Sequence, residues 1–141
     1  DGASRSADVV ALTPLHLIQM RSEPFAALLG QQASFALALA RLEASRLRDL
    51  NQRFALQSAD ATTRLLDALA YLARTSSRDQ DPQAEIPLLA QREIALLAGL
   101  ARETASRTLS KLRNRGTVLE TNGQLRIADL QPLIKRGLLP G

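Results

Sequence analysis

The stretch QREIALLAGLARETASRTLSKLRNRG, residues 91–116, predicts two helices joined by a tight turn. In its first half Ile94, Leu97 and Ala98 fall at helical spacing. Gly99 then supplies the left-handed backbone conformation that lets a helix stop and turn sharply. A helix, a glycine turn and a second helix in this order are typical of a helix-turn-helix.

The second helix of this hairpin has two faces. Ala105, Leu109 and Leu112 follow the i, i+4, i+7 spacing of a buried stripe. Four polar residues project from a different side of the helix: Arg102, Glu103, Ser106 and Arg107. One apolar face and one charged face are typical of a helix that lies in a DNA groove.

Positive charge is concentrated in the same hairpin. Residues 91–116 contain six Lys or Arg and two Glu, a net charge of +4, which equals the net charge of the whole chain. Residues 1–90 carry nine basic and ten acidic groups, and residues 117–141 carry three and two. Because the positive field is local, it indicates an anionic polymer as the partner of this hairpin.

The composition of the chain limits its chemistry. It has 141 residues, of which 45% are apolar and 3% aromatic, and this is typical of packed helices. The absence of Cys excludes disulfides, thiolate nucleophiles and Cys-ligated metal sites. There is one histidine, His16, and no carboxylate pair at a metal-like or glycine-rich motif. We therefore expect a protein that is not an enzyme and that holds no metal and no cofactor in this chain.

The ends of the chain bear on its location and origin. No apolar run reaches the length of a membrane span, and the N-terminus has no signal-peptide pattern, so we expect a cytoplasmic protein. The chain begins DGASRSADVV without an initiator Met. We therefore expect it to be part of a longer protein.

Before the hairpin the sequence predicts two short strands, a short helix and a long helix. The strands lie within residues 8–20, where β-branched and alternating residues flank a Thr-Pro turn. Ser22 caps a short helix over residues 24–29, which Gly30 closes. Residues 34–57 contain no Gly or Pro and predict a single long helix.

The long helix carries a seam that resembles that of a coiled coil. Its apolar members are spaced 3, 5, 3 and 4 residues apart: Leu39, Leu42, Leu47, Leu50 and Phe54. A seam of this length needs a partner, and a second copy of the same helix provides one, so we expect a homodimer. Packing of the helix within its own chain remains an alternative, because the spacing departs from a regular heptad.

A further helix, a loop and an extended segment lead into the hairpin. The helix runs to Arg74 from an N-cap at Ser58 or Asp60, and its apolar stripe is Leu65, Leu66, Leu69 and Leu72. Residues 76–85 are polar and predict a loop, and residues 86–89 predict a short extended segment.

A β-hairpin and a short helix follow. Residues 117–120 and 124–127 are strand-like and flank Asn122-Gly123, a strong signal for a two-residue hairpin turn. Residues 129–137 predict a last short helix, which Asp129 caps. A helix-turn-helix followed directly by a β-hairpin is a winged helix.

The order of these elements and the residues themselves resemble the Crp/Fnr family of bacterial transcription regulators. The segment IPLLAQREIALLAGLARETASRTLSKLRNRG is similar to the helix-turn-helix of that family, particularly over REIALLAGLARETASRTL. The segment DVVALTPLHLIQMRSEPFAALL is similar to the end of the family's β-roll. The resemblance covers essentially all of the chain, and we expect most of the effector-binding β-roll to lie outside residues 1–141.

The resemblance implies roles for side chains of the second helix. Arg102, Glu103 and Arg107 match the base-reading positions of the family, and Ser106 lies between them on the same face. Their chemistry suits base reading, because Arg matches guanine O6 and N7 and a carboxylate accepts from cytosine N4. The resemblance implies a TGA-type half-site. The residues expected to contact phosphates are Thr104, Lys111 and Arg113.

The chain departs from the family at two places. Ala90 stands where the family usually has a Thr or Ser that caps the first helix. Asp49-Leu50 stands where the cyclic-AMP-binding members place a Thr-Ser pair, so we do not expect cyclic AMP as the effector. The residues do not identify another effector.

We therefore expect a mainly α fold, in which a long dimerisation helix precedes a winged helix-turn-helix and a short β remnant stands at the N-terminus. The expected domains are a β-roll remnant with a short helix (1–30), the dimerisation helix (31–57) and the DNA-binding domain (58–141). The resemblance implies a homodimeric regulator that binds palindromic double-stranded DNA under an effector domain, with RNA polymerase as a further partner if it is an activator. The alternative is a winged-helix module that mediates protein–protein interaction.

Overall fold

The computed structural model describes residues 9–11 and 14–140, which fall in two compact units. One unit is Leu17–Asp60, and the other contains residues 61–140 with the described residues up to His16. The described elements are α1 (Ser22–Gln31), α2 (Ala33–Ala55), a 3-10 turn (Leu56–Ser58), α3 (Ala61–Ser76), α4 (Gln91–Leu97), α5 (Arg102–Asn114), β1 (Val118–Thr121), β2 (Gln124–Ile127) and α6 (Gln131–Ile134). The fold is mainly helical, as the sequence predicts.

The predicted long helix is confirmed as α2, which has 23 residues. Within the same unit α1 packs on α2, and the rings of Phe25 and Phe35 meet edge to face with centroids 5.7 Å apart. Leu39 of the predicted seam is half-buried, and the exposed fractions of its other members are 49% for Leu42, 60% for Leu47, 61% for Leu50 and 73% for Phe54. The described residues of one copy therefore leave most of this seam uncovered.

The strands predicted over residues 8–20 do not form in the described part of that range, residues 9–11 and 14–20. A strand is stable only beside another strand that completes its hydrogen bonds, and no described residue pairs with this segment. The side chains of Val9 and Ile18 are accordingly 99% and 97% exposed. The expected β remnant thus contains no strand in the part that the structure describes.

Helix α1 differs from its prediction at both ends. It begins at Ser22, so that Ser22 is its first helical residue, and the preceding Arg21 makes no side-chain cap hydrogen bond. Gly30 lies inside the helix, which continues to Gln31. The helix passes through this glycine because Gly30 does not adopt the positive φ that ends a helix.

Helix α3 is the centre of the second unit. Its predicted apolar stripe is confirmed, since Leu65, Leu66 and Leu69 are fully buried and Leu72 is 6% exposed. Contacts join α3 to α4, α5, β2 and α6, and Ile86, Val118, Ile127 and Leu133 complete the core around it. The helices α4 and α5 and the β-hairpin, which we call the wing (β1 and β2), are therefore held on one buried helix.

The predicted β-hairpin is confirmed as β1 and β2, which pair antiparallel from Val118 opposite Ile127 to Thr121 opposite Gln124. Asn122 and Gly123 form the two-residue turn with φ values of 53° and 79°, as a type I′ turn requires. The predicted extended segment adds an isolated bridge, in which the N–H of Ile86 donates to Leu125 O at 2.8 Å. The wing is thus attached to the segment that precedes α4.

The last helix is shorter than predicted. It spans only Gln131–Ile134, and Leu130 precedes it at the N-cap position. Asp129 nevertheless accepts a hydrogen bond from the N–H of Gln131 at 2.9 Å. The Asp129 carboxylate therefore accepts from the first N–H of the helix, although Asp129 lies one residue before the N-cap position.

None of the described helices is by itself long and apolar enough to cross a membrane. One pair, Ser22–Gln31 with Ala33–Ser58, reaches that length and composition only together, and it is bent by 109° at the break.

Candidate nucleic-acid interface

The turn between α4 and α5 is a Schellman motif centred on Gly99. Gly99 has φ of +61°. Its N–H donates to Leu96 O at 3.0 Å, and the N–H of Leu100 donates to Ala95 O at 2.9 Å. These two bonds satisfy the carbonyl groups of Ala95 and Leu96 in the last turn of α4, and the helix stops at its C-cap residue, Ala98. The predicted helix-turn-helix is confirmed here, and α5 begins at Arg102.

Helix α4 begins with half of a capping box. The Glu93 carboxylate accepts from the N–H of Ala90 at 2.8 Å, and the N–H of Glu93 donates to Ala90 O at 2.9 Å. The methyl group of Ala90 cannot provide the other half, in which a hydroxyl would accept from the backbone. Ala95 and Ala98 are 2% and 6% exposed, and their small side chains allow α4 and α5 to pack closely.

Helix α5 has the two faces that its sequence predicts. Its buried face consists of Ala105, Thr108, Leu109 and Leu112. On its other side Arg102, Glu103 and Arg107 are exposed and Ser106 is half-buried. The four predicted base-reading side chains therefore lie together on the solvent side of a helix whose opposite side is anchored in the core.

Two of these side chains form an ion pair. The Arg107 guanidinium lies 3.4 Å from a carboxylate oxygen of Glu103, and its Nε also donates to Glu103 O at 3.4 Å. The side chains are 75% and 87% exposed. An ion pair this exposed contributes little to stability, so both groups are available to a ligand at small cost.

A shallow open groove runs along this face. It is lined by Gln91, Arg102, Glu103, Ser106 and Arg107. Gln91 is the residue that the sequence analysis missed, since it is eleven positions before Arg102 and belongs to α4. The only local indication of its role was that Gln91 is a polar residue in the first turn of α4. The packing of α4 on α5 brings its side chain to the groove.

The three residues expected to contact phosphates have different surroundings. Lys111 is exposed and Thr104 is half-buried. Arg113 pairs with Glu120 of β1 at 2.5 Å, and the two side chains are 33% and 39% exposed. The Nε of Arg113 is buried, and no described residue accepts a hydrogen bond from it. The ion pair of Arg113 with Glu120 therefore links the end of α5 to β1.

We predict that the pair Arg113–Glu120 stabilises the fold more than the exposed pair Glu103–Arg107. A double-mutant cycle of Arg113→Ala and Glu120→Ala should give a coupling energy of about 1 kcal/mol, because the pair is partly shielded from water. The matched cycle of Glu103→Ala and Arg107→Ala should give about 0.3 kcal/mol. Urea denaturation of each set measures both values, and equal coupling energies would contradict the structural role of Arg113.

His16 and the acidic residues form no second site in the described part of the chain. His16 is exposed. Within residues 9–11 and 14–140, no three His, Asp or Glu side chains are placed to hold a metal ion.

Comparison with known proteins agrees with this geometry. Residues 63–136, slightly more than half of the chain, match the family of Crp-like helix-turn-helix domains. The cyclic AMP receptor protein of Thermus thermophilus is 36% identical over 121 residues, which are 84% of this chain and 52% of that protein. These relatives are transcription regulators and not enzymes.

Solved structures of regulators are also similar to this chain. A CRP-family transcriptional regulator from Thermus thermophilus has a TM-score of 0.57 and 27% identity, over 74% of this chain and 55% of that one. A mutant of CooA from Carboxydothermus hydrogenoformans has a TM-score of 0.65 and 26% identity, over 83% of this chain and 55% of that one. The chain thus spans about half the length of the relatives that it matches.

Proposed function

The chain belongs to the Crp/Fnr family of transcription regulators, and we propose that it binds a palindromic DNA site as a homodimer under the control of an effector domain. One observation carries the proposal: the charged face of α5 is exposed while its opposite face is buried. A helix anchored in this way can enter a major groove without losing its packing.

We propose Arg102, Glu103, Ser106 and Arg107 as the base-reading residues. The two guanidinium groups offer pairs of N–H donors that match O6 and N7 of guanine, and the Glu103 carboxylate can accept from N4 of cytosine. Ser106 can donate to or accept from a neighbouring base edge. Gln91, which lines the same groove, offers an amide that matches N6 and N7 of adenine. The likeness to the Crp/Fnr family supports a TGA-type half-site as the sequence that this set reads.

Phosphate contacts would hold the reading helix in place. We propose Thr104, Lys111 and Arg113 for them. Lys111 is exposed and can act as a point charge beside the backbone. Arg113 would contact a phosphate through N–H groups that do not face Glu120. Such contacts neutralise charge without reading sequence, so they set affinity and its salt dependence.

The proposed domains follow the sequence analysis: residues 1–30 as the remnant of a β-roll with a short helix, 31–57 as the dimerisation helix and 58–141 as the DNA-binding domain. Two copies would pair along the seam on α2. A two-fold axis through that seam would present two α5 helices to half-sites about 34 Å apart, one turn of DNA. The uncovered apolar side chains of the seam support this assembly.

Control would come from an effector domain that shifts the dimer between two arrangements of its reading helices. The relative named as a cyclic AMP receptor protein raises that nucleotide as one effector. The exposed carboxylate of Asp49 argues against it for this chain, because a carboxylate repels a cyclic phosphate. RNA polymerase would be a partner if the protein activates transcription. The protein would act in the cytoplasm.

The proposal is tested by selecting binding sites from random duplex DNA at near-physiological salt. We expect an inverted repeat with a TGA-type core in each half. The variant Arg107→Ala should lose about 1–3 kcal/mol of affinity for the selected site and relax its preference at one base pair of each half.

The matched control for this selection is Arg78→Ala. Arg78 is exposed in the loop after α3 and does not line the groove, and its replacement removes the same charge. It should leave both affinity and preference unchanged. If Arg107→Ala selected the same site with the same affinity as the unmodified protein, the assignment of base reading to this face would be wrong. A winged helix that contacts protein would enrich no DNA sequence at all.

A further inference from the structure

We propose that Arg64 of α3 is a positioning residue for DNA recognition, because it fixes the turn from which α5 starts. This inference rests on the proposed reading of DNA by α5. Arg64 lies outside the helix-turn-helix, 34 residues before Ala98. It does not line the groove and is not expected to touch DNA.

The guanidinium of Arg64 binds two consecutive carbonyl groups of the turn. Its Nε donates to Ala98 O at 3.1 Å, and one of its terminal nitrogens donates to Gly99 O. The side chain is half-buried, and its hydrogen bond to Ala98 O is partly shielded from water, whereas the bond to Gly99 O is exposed. One side chain therefore joins α3 to the junction between α4 and α5.

The turn needs this type of side chain. The carbonyl groups at the end of α4 carry partial negative charge and have no further helical N–H to accept from. A guanidinium offers two N–H groups at a fixed spacing, whereas a Lys ammonium is a single point of charge. Arg64 therefore binds both carbonyl groups at once and sets the direction in which the chain leaves the turn.

Gly99 is matched to Arg64 as well as to the turn. A Cβ atom added at Gly99 would collide with the terminal guanidinium nitrogen of Arg64. Glycine at this position thus allows both the positive φ of the Schellman motif and the close approach of the guanidinium. A residue with a side chain at position 99 would have to displace the end of the Arg64 side chain from the turn.

The position of Arg64 explains how it acts on the exposed face of α5, which carries the proposed base-reading residues. Its neighbours Leu65 and Leu66 are fully buried, so the helix segment that carries it is fixed in the core. Only Leu100 and Ala101 separate Gly99 from Arg102, the first residue of α5. A change in the turn is therefore transmitted directly to the angle of α5 and to the side chains that would read bases.

The test compares binding of two duplexes of equal length, the selected site and a scrambled sequence, by the unmodified protein and by Arg64→Ala. We expect Arg64→Ala to bind the selected site roughly tenfold more weakly, because only about a tenth of the free protein would then hold α5 at the angle that reads the site. Its affinity for the scrambled duplex should stay the same, since phosphate contacts do not depend on the exact angle of α5. The control Arg74→Ala removes the same charge from the last turn of α3 and should change neither affinity.

The variant Arg64→Lys separates positioning from charge and from stability. It keeps the cation but not the pair of fixed N–H groups, so we expect it to lose discrimination between the duplexes while its melting temperature stays near that of the unmodified protein. Full discrimination by Arg64→Lys, or by a folded Arg64→Ala, would overturn the inference. If the unmodified protein bound the selected site and the scrambled duplex equally well, the proposed function would be wrong. That result can be told apart from a failure of the inference on Arg64, because it involves no substitution of Arg64.

Discussion

The double substitution Leu47→Glu and Leu50→Glu in α2 is expected to convert the proposed dimer into monomers and to lower affinity for the palindromic site by about a hundredfold or more. The loss is large because a dimer binds its second half-site as an intramolecular event, which raises affinity by roughly 10²–10⁴ over one half-site. A monomer would retain only the contacts of one α5 helix.

The physical reason lies in the uncovered seam. Leu47 and Leu50 are 60% and 61% exposed in one copy of the chain. Burying a leucine side chain contributes about 1.5–3 kcal/mol. A symmetric dimer would bury two copies of each leucine, one from each protomer. A carboxylate at the same position cannot be buried without a partner, so the interface would be lost and not merely weakened.

Sedimentation equilibrium measures the mass, and titration of the palindromic duplex measures the affinity. The control is Arg48→Glu, which changes the net charge by the same two units and lies about 200° around the helix from Leu50. It should remain dimeric and bind with little change. A double variant that still sedimented as a dimer would show that α2 pairs through another face or packs only within its own chain.

The substitution Leu69→Ala is expected to lower the free energy of unfolding by about 2–5 kcal/mol, the cost of a cavity in a packed core. Leu69 is fully buried near the middle of α3, and α3 contacts α4, α5, β2 and α6. A cavity there removes contacts from several elements at once, and the surrounding helices cannot all move inward to fill it. Most mutations cost less than this.

Urea denaturation of the unmodified protein and the variant gives the change in free energy, provided that the slope with urea stays constant. The control is Leu96→Ala in α4, because Leu96 is 80% exposed and the same atoms are removed. It should change the free energy of unfolding by less than about 0.5 kcal/mol. Similar values for the two variants would mean that α3 is not the centre of the core.

Patterns within a few residues predicted most of the fold. The spacing of Leu65, Leu66 and Leu69 placed the buried face of α3, and Asn122-Gly123 placed the turn of the wing. Helix periodicity and a two-residue turn are governed by neighbouring residues, so they can be read locally. The same reasoning identified the exposed face of α5.

The errors occurred where local patterns depend on distant partners. The segment 8–20 has strand-like residues, but a strand requires a neighbouring strand, and none is present among the described residues. Gly30 was expected to end α1, yet glycine only permits the conformation that ends a helix and does not enforce it. In both cases the residue types permit the predicted structure, but the rest of the chain does not provide the contacts or the backbone conformation that it requires.

Neighbouring residues are enough to predict which segments are helices, where the hairpin turns lie and which side chains of α5 face away from the core. These features depend on residues within one or two turns of each other. Three contacts arise instead from tertiary packing: that of Arg64 with the turn at Gly99, that of Arg113 with Glu120 and that of Gln91 with the groove of α5. Those contacts depend on the angles at which α3, α4, α5 and the wing pack, and packing angles follow from the combined shape of many buried side chains, which no local pattern records.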